Sequence, residues 1–293
     1  MDPIEVLKFI GLPLLITSLS YLVGCCLFKK DNKAKELIPI VAIGLSCFIA
    51  FWLQEGLPAI PATQKWHYLI FIIGALATIN VLTYSKFNNT LIIVWLAAFG
   101  LIQTLLPLLP GLNDLTTRFL LLIFAIALPY ALKGKLRSNI FEYIVCWMIF
   151  AGYSVLAIQS GFAKLAFFSA SLSAISAALG ILSYLSHLES RFVPILLGTS
   201  MLSILMCGKA YDQVHEVTYI WYLPAIGICI PSIALTFVKP SKFKIIFSLF
   251  IVIIFVIGPI VWSLSAVTSF DDYAKLDDLS FSEGLCFAFK NFV

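Results

Sequence analysis

The sequence predicts an all-α, polytopic transmembrane helical bundle of about ten spanning helices, with both termini outside. Three observations carry this prediction: the composition, a series of long apolar runs, and the distribution of basic residues between them. The 293 residues are 61% hydrophobic and only 12% charged, whereas soluble domains are about one quarter charged. A chain of this kind is suited to lipid as its solvent.

The apolar runs supply the helices. Most of them approach the roughly 20 residues that a helix needs to cross the hydrocarbon core, and lipid offers no partner to an unpaired backbone amide, which favours helices. The links between them are too short for further domains. The ten predicted spans are Phe9–Phe28, Leu37–Leu53, Trp66–Tyr84, Leu91–Leu109, Phe119–Leu132, Ile140–Ile158, Leu165–Ser186, Phe192–Cys207, Tyr219–Val238 and Ile245–Val267.

The basic residues test the number of spans. Lys and Arg collect in cytoplasmic loops. With ten spans and the N-terminus outside, one face receives twelve Lys and Arg residues and the other seven. Removing the short span Phe119–Leu132 changes this split to nine against ten, so ten spans are favoured.

The two ends of the chain need separate interpretation. Leu22–Cys25 has the form of a lipoprotein cleavage box, but the preceding MDPIEVLK segment lacks the basic character of a signal peptide, so a retained first helix is predicted. Residues 1–267 form the bundle. Residues 268–293 form an acidic and aromatic C-terminal tail, for which an interfacial helix and a frayed end are both open.

The most polar short stretch is KAYDQVHEVTY, residues 209–219. If it is helical, Asp212, His215 and Glu216 share one face, where they could hold a divalent metal or pass protons. The alternative is a hydrated loop, since the neighbouring aromatic residues are typical of the membrane–water interface. The loop is the favoured interpretation. These aromatic residues are Tyr211, Tyr219, Trp221 and Tyr222.

A second outer segment, residues 54–67, contains Pro58 and Pro61. Prolines restrict the preceding residue to extended geometry, which predicts a rigid turn, with Trp66 and His67 anchoring the start of the third span. A gate or docking loop is the alternative.

The seventh span combines small residues at helical spacing. Ser169, Ser173 and Ala177 lie four apart, which favours close helix packing and a central position in the bundle. The alternative is a polar path lined by Ser169, Ser173 and Ser176, with Lys164 near its outer mouth.

Other chemistry finds little support in the sequence. No ionisable residue falls near the middle of a predicted span, although such residues usually mark ion-coupled transport. The seven cysteines form no CxxC pair, and no catalytic or phosphate-binding motif is present. No catalytic residue, cofactor or metal site is therefore predicted. A basic face for nucleic acid is also lacking.

These observations lead to three functional hypotheses for an integral membrane protein, which we expect in a bacterial-type inner (plasma) membrane. The first is a permease or carrier for a small neutral or lipid-like solute, because prolines interrupt several spans, at Pro13, Pro107, Pro129, Pro231 and Pro259. The second is a non-catalytic subunit or scaffold of a membrane complex, with partners docking through the outer loops or the C-terminal tail. The third, an intramembrane lipid-modifying enzyme, depends on Asp212, His215 and Glu216.

Overall fold

The computed structural model describes residues 4, 7–28, 35–57, 64–83, 115–132, 139–186, 193–212, 218–236 and 242–267. Over these ranges the chain is helical and contains no strand. Five helical segments are long and apolar enough to cross a membrane: Leu7–Leu27, Ile38–Glu55, Ile140–Gln159, Ala163–Ser186 and Ile246–Leu264. The predicted all-α class is therefore confirmed over the described ranges, as is the prediction that several helices are long and apolar enough to span a membrane.

We number the α-helices of the described ranges in chain order. They are α1 (Leu12–Leu27), α2 (Ile38–Glu55), α3 (Tyr68–Thr83), α4 (Leu115–Leu132), α5 (Asn139–Gln159), α6 (Ala163–Ser186), α7 (Val193–Tyr211), α8 (Leu223–Thr236) and α9 (Lys242–Val267). A π-helical turn at Leu7–Gly11 precedes α1, and 3-10 segments at Lys65–His67 and Thr218–Tyr222 precede α3 and α8.

Helix α6, the predicted seventh span, lies at the centre of the bundle. Within its most apolar stretch 72% of the residues are buried, compared with 17% for the N-terminal segment that contains α1. It packs most extensively against α5 and also contacts α1 and α2. The central position that its small residues predict is confirmed, because small side chains let neighbouring backbones approach closely.

The turn between α5 and α6 is short and well defined. The Phe162 amide donates to the Ala157 carbonyl (2.8 Å) and the Gly161 amide to the Ile158 carbonyl (3.0 Å), which is the Schellman pattern of a helix C-terminus. Gly161 has a φ of 78°, which glycine adopts without steric cost. This turn makes α5 and α6 antiparallel neighbours and fixes the start of α6.

Prolines occupy two kinds of position. Pro39 lies in the first turn of α2, where the missing amide costs little because it would have no partner in the helix. Pro13 lies inside the Leu7–Leu27 segment, where the π-helical turn passes into α1, which is a position within a span, as predicted. Pro231 and Pro259 lie inside α8 and α9, as predicted.

Several boundaries differ from the prediction. Helix α4 has 18 residues where the sequence predicted a span of 14, and α7 continues past the predicted end at Cys207 to Tyr211. Both helices carry polar residues in the added turns, which the apolarity of a span does not reveal. The predicted fourth span, Leu91–Leu109, and the tail 268–293 lie outside the described residues.

Gly208 provides a test of the packing between α7 and the 3-10 segment at Thr218–Tyr222. A Cβ at this position would fall on the indole ring of Trp221, which is fully buried. We expect Gly208→Ala to lower the free energy of unfolding by about 1–3 kcal/mol, the usual cost of overpacking. The measurement is thermal unfolding of the purified protein in mild detergent.

The matched control is Gly74→Ala in α3, where an added Cβ meets no atom within 4 Å. This variant should be neutral or slightly more stable, because alanine favours the helix over glycine. Equal unfolding midpoints for the two variants would contradict the contact between Gly208 and Trp221.

Candidate functional site

One end of the bundle concentrates charged and aromatic side chains. Helices α2, α5 and α7 end there, and α3, α4, α6 and α8 begin there, as shown by the contacts given below. We call it the Glu55 end. The sequence predicts that Glu55, Lys164, Lys209 and Asp212 lie in outer links and that His67 lies at the outer start of the third span, and all five residues lie at this end.

At its centre Glu55 lies between two basic groups. One carboxylate oxygen is 2.7 Å from the Lys164 ammonium nitrogen, and the other is 3.3 Å from Nε2 of His67. The side chain of Glu55 is 10% exposed and that of His67 is 7% exposed, whereas that of Lys164 is 42% exposed. We call these three residues the Glu55 cluster; it joins α2, the start of α3 and the start of α6.

Local backbone features bring the three residues together. Glu55 is the last residue of α2, and Gly56 follows with a φ of 79°, a left-handed conformation that glycine allows. His67 closes the 3-10 turn that precedes α3, and Lys164 is the second residue of α6, directly after the turn at Gly161. The side chains of Glu55, His67 and Lys164 therefore all lie at the ends of helical segments.

Helix dipoles do not account for the two full charges. A carboxylate is disfavoured at a helix C-terminus and an ammonium group at a helix N-terminus. Glu55 and Lys164 nevertheless occupy those positions on α2 and α6. Their mutual contact compensates for both, so the pair stabilises this geometry only while it stays intact.

Aromatic rings enclose the imidazole of His67. The rings of Phe51 and Trp66 meet it edge to face, with centroid distances of 5.1 and 4.8 Å, and Trp66 also contacts Phe162 at 5.9 Å. The Trp66 indole donates to Oε1 of Gln64 (2.7 Å). The prediction that Trp66 and His67 anchor the start of the third span is confirmed by their burial at 2% and 5% exposure.

A second contact joins α2 to α6 beside the cluster. With its amide oriented to satisfy both neighbours, Gln54 donates to the Lys164 carbonyl (3.1 Å) and accepts from the Phe168 amide (3.2 Å). This neutral contact holds the side of α2 against the first turn of α6, independently of the charge on Glu55.

His67 lies outside the membrane-spanning segments, and its surroundings change its acidity. Burial lowers the pKa of His67 below its ordinary value, Glu55 opposes this change, and Lys164 adds to it. Desolvation disfavours the charged ring and a nearby carboxylate favours it. The ring is therefore neutral at neutral pH, and Lys164 is then the cation that pairs with Glu55.

A second group at the same end surrounds Lys209, near the end of α7. Its ammonium nitrogen donates to the Thr117 hydroxyl (2.6 Å) and to the Tyr222 hydroxyl (3.3 Å), and it lies over the rings of Tyr219 and Tyr222 at 5.5 and 5.2 Å. The contacts tie α7 to α4 and α8. Tyr211 links this group to the first, because its ring contacts Phe162 (5.2 Å) and its hydroxyl bonds to the Trp66 backbone.

The structure resolves part of the predicted polar site. Helix α7 ends at Tyr211, so Asp212 lies beyond it and accepts a hydrogen bond from the Trp221 indole (2.7 Å). His215 and Glu216 lie outside the described residues. Over the described ranges, no three His, Cys, Asp or Glu side chains group as metal ligands.

The expected position of the neighbouring aromatic residues needs correction. The sequence assigned Trp221 and Tyr222 to the membrane–water interface, but they are 0% and 4% exposed. Trp221 stacks on Tyr153 of α5, with ring centroids 6.0 Å apart, and its carbonyl accepts from the Tyr153 hydroxyl (3.2 Å). The 3-10 segment turns these rings into the bundle; only Tyr219 remains largely exposed among the three.

The serines of α6 that were predicted to line a path are buried. Ser173 donates to the Trp147 carbonyl of α5 (2.9 Å), a contact that serves helix packing. The hydroxyls of Ser169 and Ser176 are also buried, and the described residues offer them no hydrogen-bond partner. Lys164, which the sequence placed near the outer mouth of the path, belongs to the Glu55 cluster.

The opposite end of the bundle contains a cleft where α4 ends and α5 and α7 begin. The free space in the cleft, counted together with the open solvent at its mouth, is ≈ 280 Å³. Glu142 is its carboxylate and lies in the first turn of α5, where the helix dipole favours it. The lining residues are Leu132, Glu142, Tyr143, Cys146, Val193, Pro194 and Leu197.

The pairing of Glu55 with His67 and Lys164 is the feature that the sequence interpretation missed. The residues are 12 and 109 positions apart along the chain, so no motif spacing reveals them. The available signal was the side of the membrane: the ten-span topology places Glu55 and Lys164 in outer links and His67 at the outer start of the third span. That signal gives a common face of the membrane but no distance.

Titration of His67 tests the geometry of the Glu55 cluster. We expect Glu55→Gln to lower the pKa of His67 further, because it removes the neighbouring negative charge, and Lys164→Gln to raise it, because it removes a competing cation. The chain has three histidines, so ring-labelled protein gives few NMR signals, and His67→Gln identifies the relevant one. A pKa that neither substitution moves would contradict the cluster.

Asp212 gives a second test, because two substitutions separate its possible roles. Asp212→Ala should lower the free energy of unfolding by about 1.5–3 kcal/mol, the range for a hydrogen bond to a charged group. Asp212→Asn retains an acceptor oxygen and should cost less. Thermal unfolding measures both, and equal losses would show that the Trp221 contact does not determine the effect.

The Glu55 end can therefore hold several helix ends together and can bind a proton within hydrogen-bonding reach of a carboxylate. Aromatic rings enclose the His67 imidazole, which excludes water from its contact with Glu55 and strengthens the electrostatic interaction there, whereas Lys164 remains half-exposed. Comparison with protein-family models, curated proteins and solved structures finds no match for this chain.

Proposed function

We propose that the protein is a multi-pass carrier for a small neutral or lipid-like solute, with a transport path along α6 and a closure at the Glu55 end. The observation that carries the proposal is the pair of buried α6 hydroxyls, on Ser169 and Ser176, for which the described residues supply no partner. Buried polar groups are normally hydrogen-bonded, and an exception calls for water or a ligand.

The proposed topology has ten crossings, with both chain ends outside and the membrane a bacterial-type inner membrane. Helices α3 and α4 follow each other among the described ranges, and both begin at the Glu55 end, where Tyr211 meets Trp66 and Lys209 meets Thr117. One further crossing within residues 84–114 would explain this arrangement. Phe9 also lies at this end, with its ring 4.8 Å from that of Phe167.

The kind of solute follows from the side chains of the central helix. Between Lys164 at its start and Ser186 at its end, α6 carries hydroxyl groups and no charged residue. A charged solute would need a compensating charge in so dry a setting. Hydroxyls that donate and accept single hydrogen bonds suit a neutral solute, or the polar end of a lipid-like one.

The Glu55 cluster and the contacts of Lys209 support a closure at one end of the path. They connect α2, α3 and α6 in one group and α4, α7 and α8 in the other, and Tyr211 joins the two. A carrier must close one side of its path while the other is open, and packed helix ends that share few ionic contacts can separate as rigid bodies.

Cysteine accessibility tests the path. Ser173 of α6 and Ser203 of α7 are 6% and 3% exposed. We expect Ser173→Cys and Ser203→Cys to react with a charged, water-soluble thiol reagent, because transport requires a state in which water reaches both positions. The protein is labelled in lipid nanodiscs, and mass spectrometry resolves the modification peptide by peptide, so the native cysteines are followed separately.

The matched control is Ser248→Cys in α9, which is 1% exposed and lies away from α6. It should stay unmodified under the same conditions. Complete protection of both path cysteines would overturn the proposed path, and equal modification of all three would point to general unfolding instead.

A further inference from the structure

The Glu55 cluster has one carboxylate for two basic groups, and these groups differ in their access to water. Lys164 is 42% exposed and can exchange its carboxylate partner for water. His67 is 7% exposed and is enclosed by Phe51 and Trp66, so it cannot. The two groups also belong to different elements, Lys164 to α6 and His67 to the turn before α3.

We propose that the Glu55 cluster is a proton-binding site in which protonation of His67 draws Glu55 toward His67, weakens its contact with Lys164 and thereby loosens the first turn of α6. The ligand is a proton from the aqueous phase at the Glu55 end, and no covalent bond other than N–H forms. This inference stands on the geometry of the cluster and holds whether or not the protein carries a solute.

The direction of the exchange follows from the surroundings. A protonated imidazole is a second cation 3.3 Å from one oxygen of a carboxylate whose other oxygen is 2.7 Å from Lys164, so two cations that repel each other then share one negative charge. The buried cation loses more than the exposed one if it is left unpaired, since charge is costly in a low-dielectric setting. The contact between Lys164 and Glu55 is therefore the one that weakens. The positive end of the α6 dipole further favours movement of the Lys164 ammonium group away from the helix start.

The titratable groups around His67 come from three helices. Around His67, the described residues contribute Glu55 from α2, Lys164 from α6 and Tyr211 from α7, whose hydroxyl bonds to the Trp66 backbone. Tyr211 remains protonated at the pH values at which histidine titrates. Gln54 keeps α2 beside α6 in both states, so the weakened contact loosens the first turn of α6 and does not separate the helices.

The pH range follows from the direction of the histidine shift. Burial lowers the pKa of His67, so the folded protein binds this proton less readily than the unfolded chain does, for which the pKa is about 6.5. The contribution to stability is complete above pH of about 6.5 and is lost as the pH falls through the folded value. The exchange therefore operates on the acid side of neutrality.

Hydrogen exchange of the full-length protein in nanodiscs tests the proposal. Amide exchange in residues 164–172 is compared at pH 5.0 and pH 7.5 after correction for the intrinsic effect of pH. We expect exchange at the lower pH to be roughly threefold faster, the scale of a half-exposed ion pair. Residues 193–200, at the opposite end of the bundle, should show no such change.

Two variants locate the source of the effect. In His67→Gln the corrected rates should be equal at both pH values. In Lys164→Gln they should equal the faster rate at both, because the ion pair between Glu55 and Lys164 is then absent throughout. Lys164 is half-exposed, so the second variant keeps the test open if His67→Gln does not fold.

Three outcomes would overturn the proposal. The wild-type rate could stay unchanged while the NMR signal of His67 titrates, the pH effect could persist in full in either variant, or the His67 ring could stay neutral down to pH 5.0. None of these outcomes depends on solute transport or on the accessibility of Ser173 and Ser203.

Discussion

The packing of α5 against α6 is the interaction on which the rest of the described structure depends. In lipid the hydrophobic effect does not drive helices together, so close contact and interhelical hydrogen bonds must do so. Ser154 of α5 donates to the Ala166 carbonyl of α6, and Ser173 of α6 donates to the Trp147 carbonyl of α5, each at 2.9 Å. At Gly180 an added Cβ would lie 2.9 Å from Tyr143. With this pair fixed, α1 and α2 cover one side of α6, and α7, α8 and α9 pack against α5.

Among the described residues, the charged side chains of the ion pairs lie where helices begin or end and not within the packed core. The turn at Gly161 is the link between the two features, because the turn that makes α5 and α6 neighbours also sets Lys164 beside Glu55. A change in the spacing of α5 and α6 would therefore also change the distance between Lys164 and Glu55. The packing of the helices and the electrostatics at their ends are coupled through one three-residue connection.

The sequence predicts the features that depend on local pattern. Apolar length gives the helices, the small residues of α6 give its central position, and Trp66 and His67 are correctly assigned as the anchor of α3. Prediction from the sequence fails where a contact depends on how segments that are distant along the chain cross each other. The aromatic residues after α7 resemble interface residues in composition, yet Gly208 leaves space for the Trp221 ring inside the bundle. The pairing of Glu55 with His67 and Lys164 likewise depends on the angle at which α2 meets α6.

The presence of charge at the Glu55 end is itself informative. Apolar residues of similar volume would hold packed helix ends together at least as well, since the cost of desolvating a buried ion pair often exceeds its attraction. A closure made only for stability therefore has no need of Glu55, His67 and Lys164. Charged groups add two properties that apolar contacts lack: their strength depends on proton concentration, and one partner can be replaced by water. His67 is buried and can bind the proton, whereas Lys164 is half-exposed and can exchange its partner for water. The two properties therefore belong to different elements of the fold, as the proposed proton-binding site requires.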